Sequence, residues 1–518
     1  MKKNQVTSEN VLELVGISKS FGPVAANKNV SFTVRAGSVH GIVGENGAGK
    51  STLMSIIYGF YQADTGKILV NGKEVKIPDS RTAIAHGIGM VHQHFKLVEN
   101  FTVLENIILG AEHGVLLRSG RRKAKLELER LAKEYELQVD LEAIVEDLPV
   151  GVQQRVEILK ALYRQAQILI LDEPTGVLTP KEADHLFRIL HRLRDEGKSV
   201  ILITHKLREI MEATDSVSVM RGGEVVATAP TNTVTTERLA ELMVGRRVLL
   251  RVSKEASTPG EIVLDVRGLN IRDQRGVRMV KDVALNVRAG EIVGLAGVAG
   301  NGQTELLEAL SGNRTAESGT VLLHGREVAP DPLTRRQAGI AHVPEDRHAI
   351  GLILPFTLRE NASLGYHRRP ELGTGPMLQT AALERFARQY VDDYDIRPPN
   401  PDLRASLFSG GNQQKIVLAR EIEHEPSLLL VGQPTRGVDI GAIEFIHKRL
   451  IELRDQGKAI LLVSVELDEI RALSDRILVM FDGEIVGEAD PTATEGELGL
   501  LMAGITEKMQ EAHNDQTD

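Results

Sequence analysis

The chain has 518 residues, more than one hydrophobic core usually supports, so we expect at least two domains. The net charge of -9 and the 3% aromatic content argue against nucleic acid as a partner, because such binding needs clustered cations and stacking platforms. Cysteine is absent from the sequence, which excludes disulfides and thiolate metal sites.

The opening segment, MKKNQVTSENV, has a positive start but no apolar run behind it, so we do not expect a signal peptide. Apolar runs such as residues 168–171 and 428–431 have the length of buried strands. They are far shorter than the roughly 20 residues that cross a bilayer. Any role at a membrane would therefore depend on a partner.

Residues 44–51, GENGAGKS, match the pattern of a phosphate-binding loop. An apolar strand precedes this segment and a helical pattern follows it, which is the context that the motif requires. Glycines let backbone N–H groups turn towards phosphate oxygens at the start of the helix. We expect Lys50 to reach the β- and γ-phosphates and Ser51 to ligate Mg²⁺. The predicted nucleotide-binding residues of this loop are Gly44, Glu45, Asn46, Gly47, Ala48, Gly49, Lys50, Ser51 and Thr52. A glycine-rich turn without a ligand is the alternative interpretation.

A second chemical motif, ILILDE at residues 168–173, is a buried strand that ends in two carboxylates. We predict that Asp172 holds Mg²⁺, through water, and that Glu173 polarises the attacking water. A general base of this kind contributes about 10²–10⁴ to the rate. The alternative is a strand followed by an ordinary helix N-cap.

Short Val/Ile/Leu runs alternate with segments of helical period, for instance residues 181–194 before SVILIT. This alternation predicts an α/β fold in which helices flank a mostly parallel sheet. Two further segments, about 100–165 and 355–425, are predicted to be helical and to form an inserted subdomain.

The sequence repeats itself, because four motifs of the first half return in the same order in the second. VLELVGISKSF returns as IVLDVRGLNIR, and AGSVHGIVGENGAGKST as AGEIVGLAGVAGNGQTE. GVQQRVEILKAL returns as GNQQKIVLAREI, and ILILDEPTGVLTP as LLLLVGQPTRGVD. We predict a first domain at 1–245, a linker at 246–260, a second domain at 261–508 and a polar tail at 509–518.

The order of the motifs allows a more specific interpretation of the sequence. Gln93 in GMVHQHF and the helix start GVQQR lie between the loop and the carboxylates, and His205 follows the strand SVILIT. This set resembles the ATP-binding-cassette family. The resemblance covers nearly the whole chain, twice, so it implies two tandem P-loop NTPase (RecA-like) domains, each with a mostly parallel sheet, an antiparallel β subdomain and a helical subdomain. The resemblance implies that Gln93 senses Mg²⁺ and the γ-phosphate, that His205 contacts the γ-phosphate and that Phe21 stacks on adenine. Without the resemblance, we would interpret His205 as a structural histidine and Phe21 as a core residue.

In this family the two domains pair head to tail, so the P-loop of one faces the signature of the other. The resemblance therefore implies an internal pseudo-dimer. The second half departs from the catalytic pattern at Gln303, Glu345, Gly432, Gln433 and Val465. It keeps an intact signature, whose predicted ATP-binding residues are Ser409, Gly410, Gly411 and Asn412.

The first half shows the opposite distribution of defects. Its catalytic set is complete, but its signature contains Pro149, which has neither a hydroxyl nor an N–H. We therefore predict one hydrolytic site, formed by the first P-loop and the second signature, and one degenerate site.

A tandem chain with GNGQTE, VPEDR and QPTRGVD is similar to the ATPases of simple-sugar and nucleoside importers, and most similar to the nucleoside branch. The resemblance implies an ATPase with ATP and Mg²⁺ as cofactors, at the cytoplasmic face of the cell membrane. Its partners would be two integral-membrane permease subunits and an extracytoplasmic solute-binding protein. A sugar importer is the first alternative. A soluble translation factor, which usually has a long charged linker and two working sites, is the second, and a regulatory protein with little turnover is the third.

Overall fold

The computed structural model describes residues 9–22, 24–92, 96–111, 117–175, 178, 180–247, 254–273, 275–298, 300–373 and 377–505. The chain divides into two compact units, residues 1–248 and 249–518. The predicted polar tail and part of the predicted linker lie outside the described residues.

The first unit contains two sheets. The smaller sheet is antiparallel and consists, in spatial order, of β2 (Val24–Arg35), β1 (Asn10–Phe21), β4 (Thr65–Val70) and β5 (Lys73–Val75). The larger sheet has the order β10 (Glu224–Pro230), β9 (Ser216–Arg221), β3 (Val39–Gly44), β8 (Ser199–Thr204), β7 (Ile168–Asp172) and β6 (Ile88–Val91). β10 runs antiparallel to β9, and the remaining neighbours are parallel.

The central strands of the larger sheet are buried along their whole length, as their continuous apolar sequences predict. The two faces of this sheet belong to two hydrophobic clusters. Ile42 and Ile170 lie in one cluster, with the antiparallel sheet, and Val39 and Leu171 lie in the other. Because the strands are parallel, their carboxyl ends meet at one edge, where the chemical motifs also end.

The helices of the first unit follow the strands in the predicted order. They are α1 (Lys50–Ile57), α2 (Ser80–Ala85), α3 (Val103–Ile108), α4 (Leu117–Glu134), α5 (Val150–Tyr163), α6 (Pro180–Asp195), α7 (Leu207–Ala213) and α8 (Thr236–Val244). α3, α4 and α5 follow β6 and precede β7 in the chain, and they pack on one another. They are the inserted helical subdomain.

The second unit repeats this topology strand for strand. Its antiparallel sheet has the order β12 (Arg278–Arg288), β11 (Ile262–Arg272), β14 (Ser318–Leu323) and β15 (Arg326–Glu327). Its mostly parallel sheet has the order β16 (Ile340–Val343), β17 (Leu428–Gly432), β18 (Ala459–Ser464), β13 (Ile292–Ala296), β19 (Arg476–Phe481) and β20 (Glu484–Ala489). Its helices are α9 (Gln303–Ser311), α10 (Pro332–Gln337), α11 (Leu358–Ala362), α12 (Thr380–Asp393), α13 (Gly410–Ile422), α14 (Ile440–Asp455), α15 (Leu467–Leu473) and α16 (Glu495–Met502).

The duplication extends to local hydrogen bonds at the entry to each helical subdomain. A capping box starts α3, with Thr102 and Glu105 as its partners, and the same box starts α11, with Thr357 and Glu360. One residue after each box, a buried asparagine side chain forms hydrogen bonds with the backbone of the segment before the helix.

The predicted fold class is confirmed in both halves. In the part of the chain that the structure describes, no helix combines the length and the apolar character of a membrane span.

Candidate functional site

The loop between β3 and α1 has the close backbone packing of a phosphate-binding loop. Gly47 and Gly49 have φ angles of 83° and 96°, which side chains other than that of glycine rarely adopt. A Cβ on Gly49 would lie 2.3 Å from the carbonyl oxygen of Ala26, and one on Gly44 would lie 2.3 Å from that of Met220. The loop therefore needs glycine for space as well as for conformation.

Lys50 begins α1, and its side chain turns back under the loop. The Nζ atom donates hydrogen bonds to the carbonyl oxygens of Gly44, at 2.6 Å, and Glu45, at 3.1 Å. Only 6% of the residue is exposed. Burial lowers the pKa of Lys50, although the neighbouring carboxylates of Glu173, Asp172 and Glu45 act in the opposite direction. The ammonium group is thus held beside the loop and faces acidic neighbours.

Asp172 ends β7 and lies beside Ser51, whose hydroxyl acts to lower the pKa of the carboxyl group. Burial and the charge of Glu173 raise the pKa of Asp172 to about 6, against the opposing effects of Lys50 and Ser51. Hydroxyl and carboxylate oxygens are the ligands that Mg²⁺ takes at nucleotide sites, so this pair fits the predicted cation. Among the described residues, no three or more acidic or histidine side chains form a metal cluster, so a cation here would need phosphate and water oxygens as well.

The next residue, Glu173, forms a pair with His205. Nδ1 of His205 lies 2.9 Å from Oε1 of Glu173, and both side chains are about four-fifths buried. Burial alone would raise the pKa of Glu173, but the hydrogen bond and charge of His205, followed by the cations Lys50 and Lys206, bring it below its ordinary value. The carboxylate is therefore ionised at neutral pH, as a base requires.

The backbone at Glu173 is strained in a way that directs this side chain. Its φ angle is 47°, a left-handed conformation that is rare for a residue other than glycine. Its N–H donates to the carbonyl oxygen of Ile203, at 2.9 Å, which ties the turn to β8. Strain of this kind, of order 1–3 kcal/mol, is characteristic of functional sites.

The other predicted residues of the first half are distributed as follows. Phe21 ends β1 with 42% of its surface exposed, and its ring meets that of Tyr61 edge to face, with the centroids 5.1 Å apart. Gln93 lies outside the described residues. Tyr61, which is also exposed, was not predicted as a site residue, because its sequence signal is an aromatic residue directly after GF in the segment following α1.

The second half keeps the loop geometry and loses the charges. Gly302 has a φ angle of 104°, and Nε2 of Gln303 donates to the carbonyl oxygen of Val298, at 3.2 Å. Gln433 repeats the φ angle of 47° seen at Glu173, and its Oε1 accepts a hydrogen bond from the backbone N–H of Val465, at 3.4 Å. A neutral amide and a backbone group thus replace the carboxylate and imidazole.

The side chain of Glu345 reaches the second P-loop, although the sequence showed this position only as a departure from the catalytic pattern. Thr304, aligned with Ser51, donates a hydrogen bond to Oε2 of Glu345, at 2.6 Å. Burial raises the pKa of Glu345 above its ordinary value, despite the hydrogen bond from Thr304 and the charge of Arg436. The sequence does place Glu345 after a strand that parallels β17, but it does not show where the side chain points.

The two signature segments differ at the start of their helices. Ser409 is the N-cap of α13, and its Oγ accepts hydrogen bonds from the backbone N–H of Asn412, at 3.4 Å, and from its Nδ2, at 2.8 Å. Pro149 is the N-cap of α5 and provides no side-chain cap. The two signature segments therefore differ in the capping of the helices that they begin.

The fold and the residues gathered at the strand ends define a P-loop ATPase built twice in one chain. Residues 27–176 and 280–436 both match the family described as ABC transporter. The chain belongs to this family.

Three curated relatives match over nearly the whole chain. The guanosine import ATP-binding protein NupO of Bacillus subtilis is 49% identical over 96% of this chain and 98% of its own length. The nucleoside import ATP-binding protein NupA of Lactococcus lactis is 47% identical, covering 96% and 99%. The glucose import ATP-binding protein TsgD13 of Haloferax volcanii is 44% identical, covering 96% of both chains.

Among solved structures, an archaeal ribosome recycling factor in complex with the archaeal ribosomal stalk protein matches with a TM-score of 0.62. The match covers 95% of this chain and 92% of that chain, at 18% identity. At this identity the likeness concerns the fold alone.

Proposed function

We propose that this chain is the ATP-hydrolysing subunit of an ABC importer and that the imported solutes are nucleosides. The observation that carries the ATPase assignment is the cluster around the first P-loop. At this edge of the larger sheet lie Lys50, the neighbours Ser51 and Asp172, and the Glu173–His205 pair.

The cargo assignment has a different support. Relatives named for guanosine and nucleoside import are 49% and 47% identical to this chain, and the relative named for glucose import is 44% identical. These figures favour nucleosides and leave a sugar importer as the alternative. The likeness to the ribosome recycling factor does not favour a role in translation, because it extends to the fold alone.

In the proposed mechanism the P-loop binds ATP. The amides of the glycine-rich loop and the ammonium of Lys50 hold the phosphates, and Phe21 stacks on adenine. A charge-assisted contact such as that of Lys50 contributes about 1.5–3 kcal/mol. Ser51 and Asp172, with Gln93, would hold Mg²⁺, which supplies charge neutralisation of the phosphates when bound.

Glu173 is the proposed base for the attacking water. Its carboxylate is ionised at neutral pH and is oriented by His205, as a group that receives a proton from water must be. His205 is expected to contact the γ-phosphate as well. The position of Glu173 on a strained turn fixes the direction of its side chain, so little reorganisation is needed during the reaction.

We also propose that the signature of the second half, Ser409 to Asn412, contacts the ATP held by Lys50, as the family resemblance implies. Its support is the cap formed by Ser409, which orders the first turn of α13. Ser409→Arg should slow ATP hydrolysis strongly while Lys50 and Glu173 remain unchanged. Unaltered turnover in this variant would remove the signature from the proposal.

The proposed partners are two integral-membrane permease subunits and an extracytoplasmic solute-binding protein, with this chain at the cytoplasmic face of the cell membrane. Gln93 and Glu345 occupy matching positions in the two halves but differ in charge. We therefore propose that the two permease contacts are not equivalent, which allows the two permeases to be different proteins. Co-purification with a single type of permease would contradict this last point.

The cargo is tested by uptake in cells that carry the native transporter genes. Labelled guanosine should enter in an ATP-dependent manner, unlabelled nucleosides should compete, and pentoses and hexoses should not. Cells with Glu173→Gln in this chain serve as the matched control and should show no uptake. Competition by sugars but not by nucleosides would establish the sugar alternative.

A further inference from the structure

The segment that follows β16 in the second half is longer than the segment that follows β6 in the first half. β6 ends at Val91 and β16 ends at Val343. Val98 and Ile353 are equivalent residues further on, because the backbone N–H of each donates to the buried asparagine of the next helix. Six residues lie between the first pair, with no arginine among them, and nine lie between the second pair.

The longer segment forms a single π-helical turn, Arg347–Gly351. Asp346 caps this turn, because its carboxylate accepts hydrogen bonds from the backbone N–H groups of His348, at 2.8 Å, and Ala349, at 3.0 Å. Isolated π-helical turns are rare and are frequent at functional sites. The turn therefore calls for an account of what its side chains do.

The side chain of Arg347 connects two other segments of the second unit. Its Nη1 atom donates a hydrogen bond to the carbonyl oxygen of Arg436, at 2.8 Å, in the turn that follows β17. Its Nε atom donates to Oε1 of Gln413, at 3.4 Å, in the first turn of α13. One planar group thus binds the start of the signature helix and the turn after β17 at the same time.

The two segments approach each other closely at this point, and glycines make the approach possible. A Cβ on Gly410 would lie 2.7 Å from Nη2 of Arg347 and 2.8 Å from the carbonyl oxygen of Gly437. Gly437 has a φ angle of 65°, and a Cβ there would lie 3.6 Å from the same Nη2 atom. The guanidinium group therefore packs against the backbone of both segments.

Gln413, the partner of Arg347 on α13, is held on both sides of its amide. Nε2 of His348 lies 2.8 Å from its Oε1, and its own Nε2 donates to the carbonyl oxygen of Ala405, at 3.0 Å. Gln413 is buried. Its counterpart in the first half, Gln153, donates to backbone carbonyl groups of the segment before α5. The contacts with the segment after β16 are thus an addition that the second half makes to a shared arrangement.

We propose that Arg347 is a positioning residue for ATP hydrolysis, which fixes the first turn of α13 against the turn after β17. The inference rests on the proposed function, because it takes the signature at the start of α13 to contact ATP. The donors of a guanidinium group have fixed directions, so the group sets both the distance and the angle between the two backbone segments. Without Arg347 the cap formed by Ser409 would remain, but the signature would lose its fixed position.

The test measures ATP turnover by the full chain for each nucleotide site that it forms. The sites are counted with a fluorescent ATP analogue, so partial unfolding of a variant does not lower the measured kcat. Arg347→Ala should lower kcat at least about 10-fold, because a misplacement of about 1 Å far from the chemistry can cost about 10²-fold in rate. KM for ATP should stay unchanged, since the first P-loop is intact.

Two further variants make the result specific. Arg347→Lys should have a kcat well below that of the parent chain, because an ammonium group lacks the fixed fork of donors. Arg385→Ala removes an exposed arginine of α12 in the same unit and should retain the parent kcat. Thermal unfolding of each variant verifies folding. If Arg347→Ala does not fold, Arg347→Lys decides the question by the same criterion.

Each contrary result has a distinct meaning. An unchanged kcat in Arg347→Ala, or a parent-like kcat in Arg347→Lys, would overturn the positioning role. A raised KM with an unchanged kcat would also overturn it, since Arg347 would then act on the binding of ATP. A parent chain without ATP hydrolysis, or unaltered turnover in Ser409→Arg, would instead count against the proposed function.

Discussion

Nδ1 of His205 lies 2.9 Å from Oε1 of Glu173, at the ends of two adjacent parallel strands. The same two positions in the second half are Val465 and Gln433, where a backbone N–H meets an amide oxygen at 3.4 Å. The backbone turn is the same in both halves, with a φ angle of 47° at Glu173 and at Gln433. The duplicated fold thus maintains one geometry with two different sets of chemical groups.

The first prediction concerns the base. Glu173→Gln should lower ATP turnover by about 10²–10⁴, because the amide cannot accept the proton of water. ATP binding should persist, since the P-loop is unchanged. Turnover is measured by phosphate release, and binding by a fluorescent ATP analogue. The matched control is Gln433→Glu, which should not raise turnover, because Val465 offers no imidazole at that turn. Substantial turnover in Glu173→Gln would refute the assignment of one hydrolytic site.

The second prediction compares the residues that begin the two P-loop helices. Lys50→Gln should weaken ATP binding to the first half by about 1.5–3 kcal/mol, the contribution of one charge-assisted hydrogen bond. The reciprocal change, Gln303→Lys, should strengthen binding to the second half. Both affinities are measured by titration calorimetry with a non-hydrolysable analogue. Equal affinities of the parent chain and Lys50→Gln would show that Lys50 does not contact the phosphates.

A third prediction distinguishes steric overlap from backbone strain at two glycines of the P-loop. Gly47→Ala, with a φ angle of 83° and no atom near the added Cβ, should cost only the strain of the left-handed conformation, about 1–2 kcal/mol. Gly49→Ala has similar strain, but its Cβ would lie 2.3 Å from the carbonyl oxygen of Ala26, so a further ~1–3 kcal/mol is expected. Urea unfolding measures both losses. Equal losses would mean that the backbone at Ala26 moves freely.

The fourth prediction concerns pH and the stability of the first unit. His40 in β3 is buried, its ring nitrogens lie 2.8 and 2.9 Å from the hydroxyls of Ser216 and Ser218, and burial lowers its pKa from 6.5 to about 4. The unfolded chain takes up a proton near pH 6.5, whereas the folded chain resists protonation down to about pH 4. The stabilisation is therefore complete above pH 6.5 and is lost as the pH falls towards 4, by about 3 kcal/mol in total.

His40→Asn should remove most of this pH dependence, and His86→Gln, at an exposed position, should not. Urea unfolding of the three proteins at a series of pH values provides the measurement. If the unfolding free energy of His40→Asn changed between pH 6.5 and 4 as much as that of the parent chain, His40 would accept its proton in the folded state.

Much of the fold was predictable, because the signals are local. Glycine spacing, apolar runs and the lysine–serine pair each reflect the conformation of a short segment, so the loop between β3 and α1, and β7 with the two carboxylates at its end, lie where the sequence placed them. The repeat then transferred the same elements to the second half. Tyr61 beside Phe21 escaped prediction because an aromatic contact between a strand end and a distant loop has no sequence spacing of its own.

The sequence by itself determined that the chain is a duplicated P-loop ATPase and that the residues predicted to be catalytic are not repeated in the second half. These conclusions depend on residue identity at aligned positions. Only the tertiary structure decided that two apparent losses, Gly432 and Glu345, belong together. The physical reason is that parallel strands bring their ends to one edge of a sheet, so the side chain missing after β17 is replaced in space by one that follows β16.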